Sequence, residues 1–148
     1  LQDVVAAAGD RHTVVHCCAP DVPFVLLRET GVKAVSVDTA LLTPKAWESL
    51  AATIESGVDL WAGVVPTDDP GNDERDNDPR SQGTRNQVSN VIDPLVEAWG
   101  RVGLPRSDLS RVTLTPACGL AGFTPSRART VQRLVVNAAR ALTETAGS

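Results

Sequence analysis

The stretch Thr13-Val-Val-His-Cys-Cys-Ala-Pro-Asp21 places an imidazole and two thiols in a row. Its apolar start reads as a short buried strand running from Thr13 to Cys18 and breaking at Pro20. Successive side chains of a strand point to opposite faces. His16 and Cys18 therefore share one face, and Cys17 takes the other. An imidazole and a thiolate side by side at the end of a strand are two of the ligands a zinc site needs. A third thiol, Cys118, follows a second apolar run in Leu114-Thr-Pro-Ala-Cys-Gly-Leu120. A carboxylate, Asp38, closes a third run, Lys33-Ala-Val-Ser-Val-Asp38.

Each of these residues also has a plain structural use. A cysteine in an apolar run is usually a small core side chain, and Cys17 fits that description because its parity turns it toward the packing helices. A lone His16 would serve as a partly buried, hydrogen-bonded histidine. Asp38 could cap the turn that follows it. His12, before the strand, is expected to be exposed and without a role. A vicinal Cys17–Cys18 disulfide would be strained and would remove a ligand. The convergence of His16, Cys18, Asp38 and Cys118 on strand ends is what favours zinc.

The elements that must position these residues follow from periodicity. Leu1 to Ala8 reads as the last turns of a helix closed by Gly9. Asp21 is placed to N-cap a short helix that buries Phe24, Leu27 and Val25 and ends at Gly31. Lys33 to Asp38 is the second strand. Thr43-Pro44 opens a helix in the favoured N-cap and N1 arrangement. Trp47, Leu50, Ala51 and Ile54 line its buried face at i, i+3, i+4, i+7 spacing, and Gly57 ends it. Asp59 to Val65 is the third strand. A helix from about Asn86 to Arg101 carries Val88, Val91, Ile92, Leu95, Val96 and Trp99 at helical spacing. Arg111 to Pro116 is the fourth strand. Thr124-Pro125 opens the last helix, with Val131, Leu134, Val135, Ala138 and Leu142 as its stripe.

Between the third strand and the following helix, Thr67 to Thr84 holds six acidic and two basic residues and no apolar anchor. It is expected to be a mobile surface loop. Its Asp76-Asn77-Asp78 run lacks the Gly and distant Glu of a calcium-binding EF-hand loop.

Alternating short strands and amphipathic helices predict an α/β fold with a parallel sheet and right-handed crossovers. Two architectures satisfy the pattern: an open doubly wound sheet, and four βα units of a TIM (β/α)8 barrel. No Gly-x-Gly-x-x-Gly follows any strand, which speaks against dinucleotide binding. In either architecture function gathers at the C-terminal strand ends, where His16, Cys18, Asp38 and Cys118 lie.

Composition excludes other classes. The 148 residues suffice for one domain with a core. A net charge of −4 argues against nucleic acid as a partner. No apolar run approaches the roughly 20 residues that span a bilayer. The opening shows no signal-peptide pattern, so the cytoplasm is the expected compartment. Three cysteines do not make a disulfide framework. The absence of Met and the truncated look of the first helix predict a piece of a longer protein.

The pattern His16-x-Cys18, Val35-Ser-Val-Asp-Thr39, Gly63-Val-Val65 and Leu114-Thr-Pro-Ala-Cys-Gly-Leu120 resembles the C-terminal catalytic barrel of the cobalamin-independent methionine synthase family. The resemblance covers nearly all of residues 1–148 and implies the second half of that barrel, strands five to eight. It implies zinc held by His16, Cys18 and Cys118, with Asp38 standing where the family has Glu and reaching one methylene less far. The family carries a proton-donating His after the third of these strands. This chain has Pro66-Thr-Asp-Asp-Pro70 there, so Asp68 or Asp69 would have to serve.

The resemblance thus implies zinc-dependent methyl transfer from a folate or other methyl carrier to a thiol, homocysteine first among them. The wider superfamily offers corrinoid-dependent thiol methyltransferases as one alternative, and a non-catalytic zinc-bound or small-anion-binding barrel domain is another. A half barrel has open strand edges. Either the missing N-terminal half or self-association is expected to cover them, and the isolated half is expected to be inactive.

Overall fold

The computed structural model describes residues 1–67 and 83–147. The chain begins with α1 (Gln2–Ala7), which ends at Gly9 in the left-handed conformation. Then come β1 (Val14–Cys17), α2 (Phe24–Glu29), β2 (Ala34–Asp38), α3 (Pro44–Glu55) and β3 (Asp59–Val65). The second part holds α4 (Gly83–Arg101), β4 (Thr113–Pro116) and α5 (Pro125–Ala146). Short 3-10 turns lie at Thr39–Leu41 and Arg106–Arg111.

The four strands form one all-parallel sheet in the order β1-β2-β3-β4. That sequential order matters. Right-handed crossovers between successive neighbours put every connecting helix on the same face. A doubly wound sheet needs a reversal of strand order, and none occurs among the described strands. Strand parity agrees with a singly wound arrangement. Val35, Val37, Leu60, Ala62 and Leu114 join Leu50, Ile54, Leu95, Trp99, Ala138 and Leu142 in a single core. Val15 and Cys17 pack against that core from β1, as the alternation predicts. The alternate residues His16, Ser36, Trp61 and Thr113 form a row across the opposite face.

Thr43 and Thr124 cap α3 and α5 through their side chains, each with Pro next in line. Trp47, Leu50, Ala51 and Ile54 are all buried. In α5, Val131, Ala138 and Leu142 are buried while Leu134 and Val135 are half-buried. Trp99 on α4 is fully buried and donates its indole N–H to the Pro105 carbonyl at 2.9 Å. This ties the end of α4 to the turn that feeds β4.

Some local expectations fail. Asp21 does not cap α2: Pro23 occupies the N-cap, and the Phe24 N–H bonds to the Val22 carbonyl at 2.9 Å. Val25 is 48% exposed. The residues before β4 form a 3-10 turn, so that strand starts two residues late. The acidic stretch ends sooner than expected because α4 already includes Gly83 and Thr84. Residues 68–82, with Asp68 and Asp69, lie outside the described residues. No described helix is long and apolar enough to cross a membrane.

Candidate metal centre at the sheet edge

His16 is the third residue of β1, and Cys18 follows the strand's last residue. Cys118 lies two residues beyond β4. One donor atom from each of the three meets the others within 4.8 Å. All three side chains are exposed, and all three cysteines of the chain are free thiols. Cys17 is half-buried on the helix side, which removes it from the group.

β1 and β4 are the outermost strands. Neighbouring strands lie about 4.8 Å apart, so a flat ladder would separate β1 and β4 by about 14 Å. Side chains from these two strands meet only if the sheet is concave, if the turn after β4 folds back over its rim, or both. The backbone shows how the turn does so. The Ala117 N–H donates to the Val65 carbonyl at 2.8 Å, carrying the ladder one residue past β4. The β3–β4 register also shifts between Gly63 and Val65. A methyl group on Gly63 would lie 2.8 Å from the Ala117 Cα and 2.9 Å from the Val37 carbonyl oxygen. Glycine is therefore required by close backbone approach, the usual meaning of a glycine within a strand. The residue after Ala117 is Cys118.

The histidine is oriented from the neighbouring strand. His16 pairs in register with Ser36, and its Nδ1 lies 3.1 Å from the Ser36 hydroxyl. Asp38 ends β2 in the same rim layer. Its carboxylate accepts the Ala40 N–H at 3.0 Å and so caps the 3-10 turn. Asp38 is not a member of the three-residue group. The Thr39 hydroxyl donates to the Gly63 carbonyl at 2.8 Å and fixes this turn to β3.

The donor set suits a borderline-soft ion. Thiolate and imidazole are the ligands zinc prefers, with Zn–S near 2.3 Å and Zn–N near 2.0–2.1 Å in tetrahedral sites. Those bond lengths put donor atoms about 3.7 Å apart, so closing of at most about 1 Å by exposed side chains completes the geometry. Three ligands leave a fourth position for a further donor.

Strand parity singled out His16 and Cys18, and a place just past a strand end singled out Cys118. Neither pointed to Ser36 or Gly63, although each of these left a signal: a lone hydroxyl in an apolar run, and a glycine inside a strand. Comparison with protein-family models, with curated proteins and with solved structures finds no match to this chain.

Proposed function

We propose that this chain is the metal-holding half of a zinc-dependent methyltransferase barrel that alkylates a thiol. The observation that carries the reading is the meeting of two thiols and one imidazole within 4.8 Å at the C-terminal edge of a parallel sheet. The sequential strand order, with its helices on one face, supports four consecutive units of a (β/α)8 barrel. The resemblance of these motifs to cobalamin-independent methionine synthases supplies the reaction class, with homocysteine as the thiol.

His16, Cys18 and Cys118 would hold the ion. Zinc bound there would keep a substrate thiol in its thiolate form at neutral pH, where a free thiol of pKa near 8.5 is mostly protonated. The chain's own residues do the positioning. Ser36 holds the His16 ring, and Gly63 lets Ala117 carry Cys118 inward. Three protein ligands, with a fourth position left for a further donor, support an open site over a closed structural one. Asp38 caps the turn beside the site and serves as scaffold for its rim. The acid that protonates the methyl carrier's leaving group would come from outside this group, with Asp68 as the candidate. The other four units of the barrel would cover the face that carries His16 and Trp61.

The test is metal content and cobalt absorption of the encoded protein, including any sequence that flanks residues 1–148, with and without homocysteine. One metal per chain is expected, with a thiolate charge-transfer band that changes when homocysteine is added. Cys118→Ser should lose most of the metal and all thiol alkylation. Full zinc content in that variant would sink the assignment. A stoichiometric metal with a spectrum indifferent to thiols would indicate a structural site instead.

A further inference from the structure

Among the described residues, two with hydroxyl side chains are buried, Ser36 and Thr53, and they are used differently. Thr53 spends its hydroxyl on the Ser49 carbonyl within its own helix. Ser36, 8% exposed, sits in the middle of β2 on the face opposite the helices, and its hydroxyl meets Nδ1 of His16. A buried hydroxyl is costly unless it is paired. Here its partner is the imidazole of the candidate metal group.

We propose that Ser36 is a positioning residue that accepts the Nδ1 proton of His16 and so presents Nε2 to the metal. The inference rests on the metal reading above for its purpose but not for its test. A neutral imidazole carries one proton, on one nitrogen, and the hydrogen bond at that nitrogen decides which. If Nδ1–H donates to Ser36, Nε2 keeps its lone pair, and the ring plane is fixed from the strand next door. In the opposite arrangement the hydroxyl donates to Nδ1. The proton then sits on Nε2, and neither nitrogen is left for a metal. Metal-ligating histidines ordinarily donate their second ring N–H to an oxygen in this way, and loss of such a partner costs roughly 10–100-fold in metal affinity. Because β1 and β2 pair in register at this point, the contact is built into the sheet rather than into a loop.

The chain has two histidines, so ring ¹⁵N spectra are simple to assign, with His12→Ala marking the other signal. At about pH 9, where imidazole side chains are neutral, the metal-free protein should show His16 as the Nδ1–H tautomer. An unconstrained imidazole favours Nε2–H. Ser36→Ala should shift His16 toward that form, and Ser36→Thr, which keeps the hydroxyl, should restore Nδ1–H. On adding zinc, the Nε2 resonance should move, and Ser36→Ala should bind zinc roughly 10–100-fold more weakly with its fold retained. An Nε2–H tautomer in the wild type, zinc binding through Nδ1, or unchanged affinity in Ser36→Ala would overturn the proposal. Failure of the wild type to bind zinc would overturn the metal reading, and the tautomer alone would then decide the role of Ser36.

Discussion

Gly63→Ala is the sharpest single perturbation of this site, because it touches no ligand. The added methyl would stand 2.8 Å from the Ala117 Cα and 2.9 Å from the Val37 carbonyl oxygen. Ordinary carbon–carbon contact begins near 3.4 Å, so Ala117 must retreat by about 0.6 Å, against backbone on both sides. Cys118 follows Ala117 directly and moves with it. The donor atoms already have to close by up to about 1 Å to reach zinc bond lengths, so a further retreat of this size adds to what the Cys118 side chain must make up and weakens its hold on the metal. The expected result is a fall in zinc affinity of about tenfold to a hundredfold, as for other groups that orient metal ligands. An overpacking cost of about 1–3 kcal/mol in stability should accompany it. Competition with a chromophoric chelator measures the first effect, and urea unfolding the second. Gly119→Ala is the control: nothing lies within 4 Å of its new methyl group, so affinity should be unchanged. Zinc affinity within twofold of wild type in Gly63→Ala, despite reduced stability, would refute the argument that Gly63 sets the position of Cys118.

Asp38→Asn should leave zinc affinity unchanged in the same chelator assay, because Asn still accepts the Ala40 N–H, while Asp38→Ala should cost about 0.5–2 kcal/mol of stability through the lost cap; a large loss of affinity in Asp38→Asn would make Asp38 a ligand. Leu50 is fully buried on α3, so Leu50→Ala should cost about 2–5 kcal/mol in urea unfolding. The Thr115 hydroxyl is buried with no hydrogen-bond partner among the described residues, so Thr115→Val should be neutral or stabilising by about 1 kcal/mol, read as a raised urea midpoint. The Arg111–Asp59 ion pair is 2.8 Å long but 47% and 35% exposed, so solvent screening should hold the effect of Asp59→Asn below about 1 kcal/mol.

Much of this fold is legible because its signals are local. The Thr-Pro pairs at 43–44 and 124–125 combine a capping hydroxyl with a residue preset for the first helical turn, and both start helices. The spacing of Trp47, Leu50, Ala51 and Ile54 can be satisfied by one buried helix face only. Period-two alternation separates Cys17 from His16 and Cys18 without further information. Asp21 misleads because a short loop has its own competing bond: the Phe24 N–H is taken by Val22, and Pro23 stands at the cap. The 3-10 turn at Arg106–Arg111 carries a single buried apolar residue, Leu109, too little for a periodic signal. Strand order is not local at all. Alternating strands and helices fit both a singly and a doubly wound sheet, and only the pairing of β1 with β2, β2 with β3 and β3 with β4 separates them.

The site follows the same division. Its three candidate donors come from the ends of the two outer strands, about a hundred residues apart in sequence, and their residue types single them out. Their geometry comes from the two inner strands, which contribute no ligand: Ser36 on β2 holds the imidazole, and Gly63 on β3 admits the backbone that brings Cys118 inward. Neither residue has metal chemistry of its own, so a search for ligands passes over both. Each acts through register, since Ser36 stands beside His16 and Gly63 stands beside Asp38 and Thr115. A one-residue slip in either ladder would send the whole row to the other face. On the proposed reading, metal binding at this edge would depend on the pairing of all four strands, and loss of an inner-strand contact should appear as loss of metal before it appears as loss of fold.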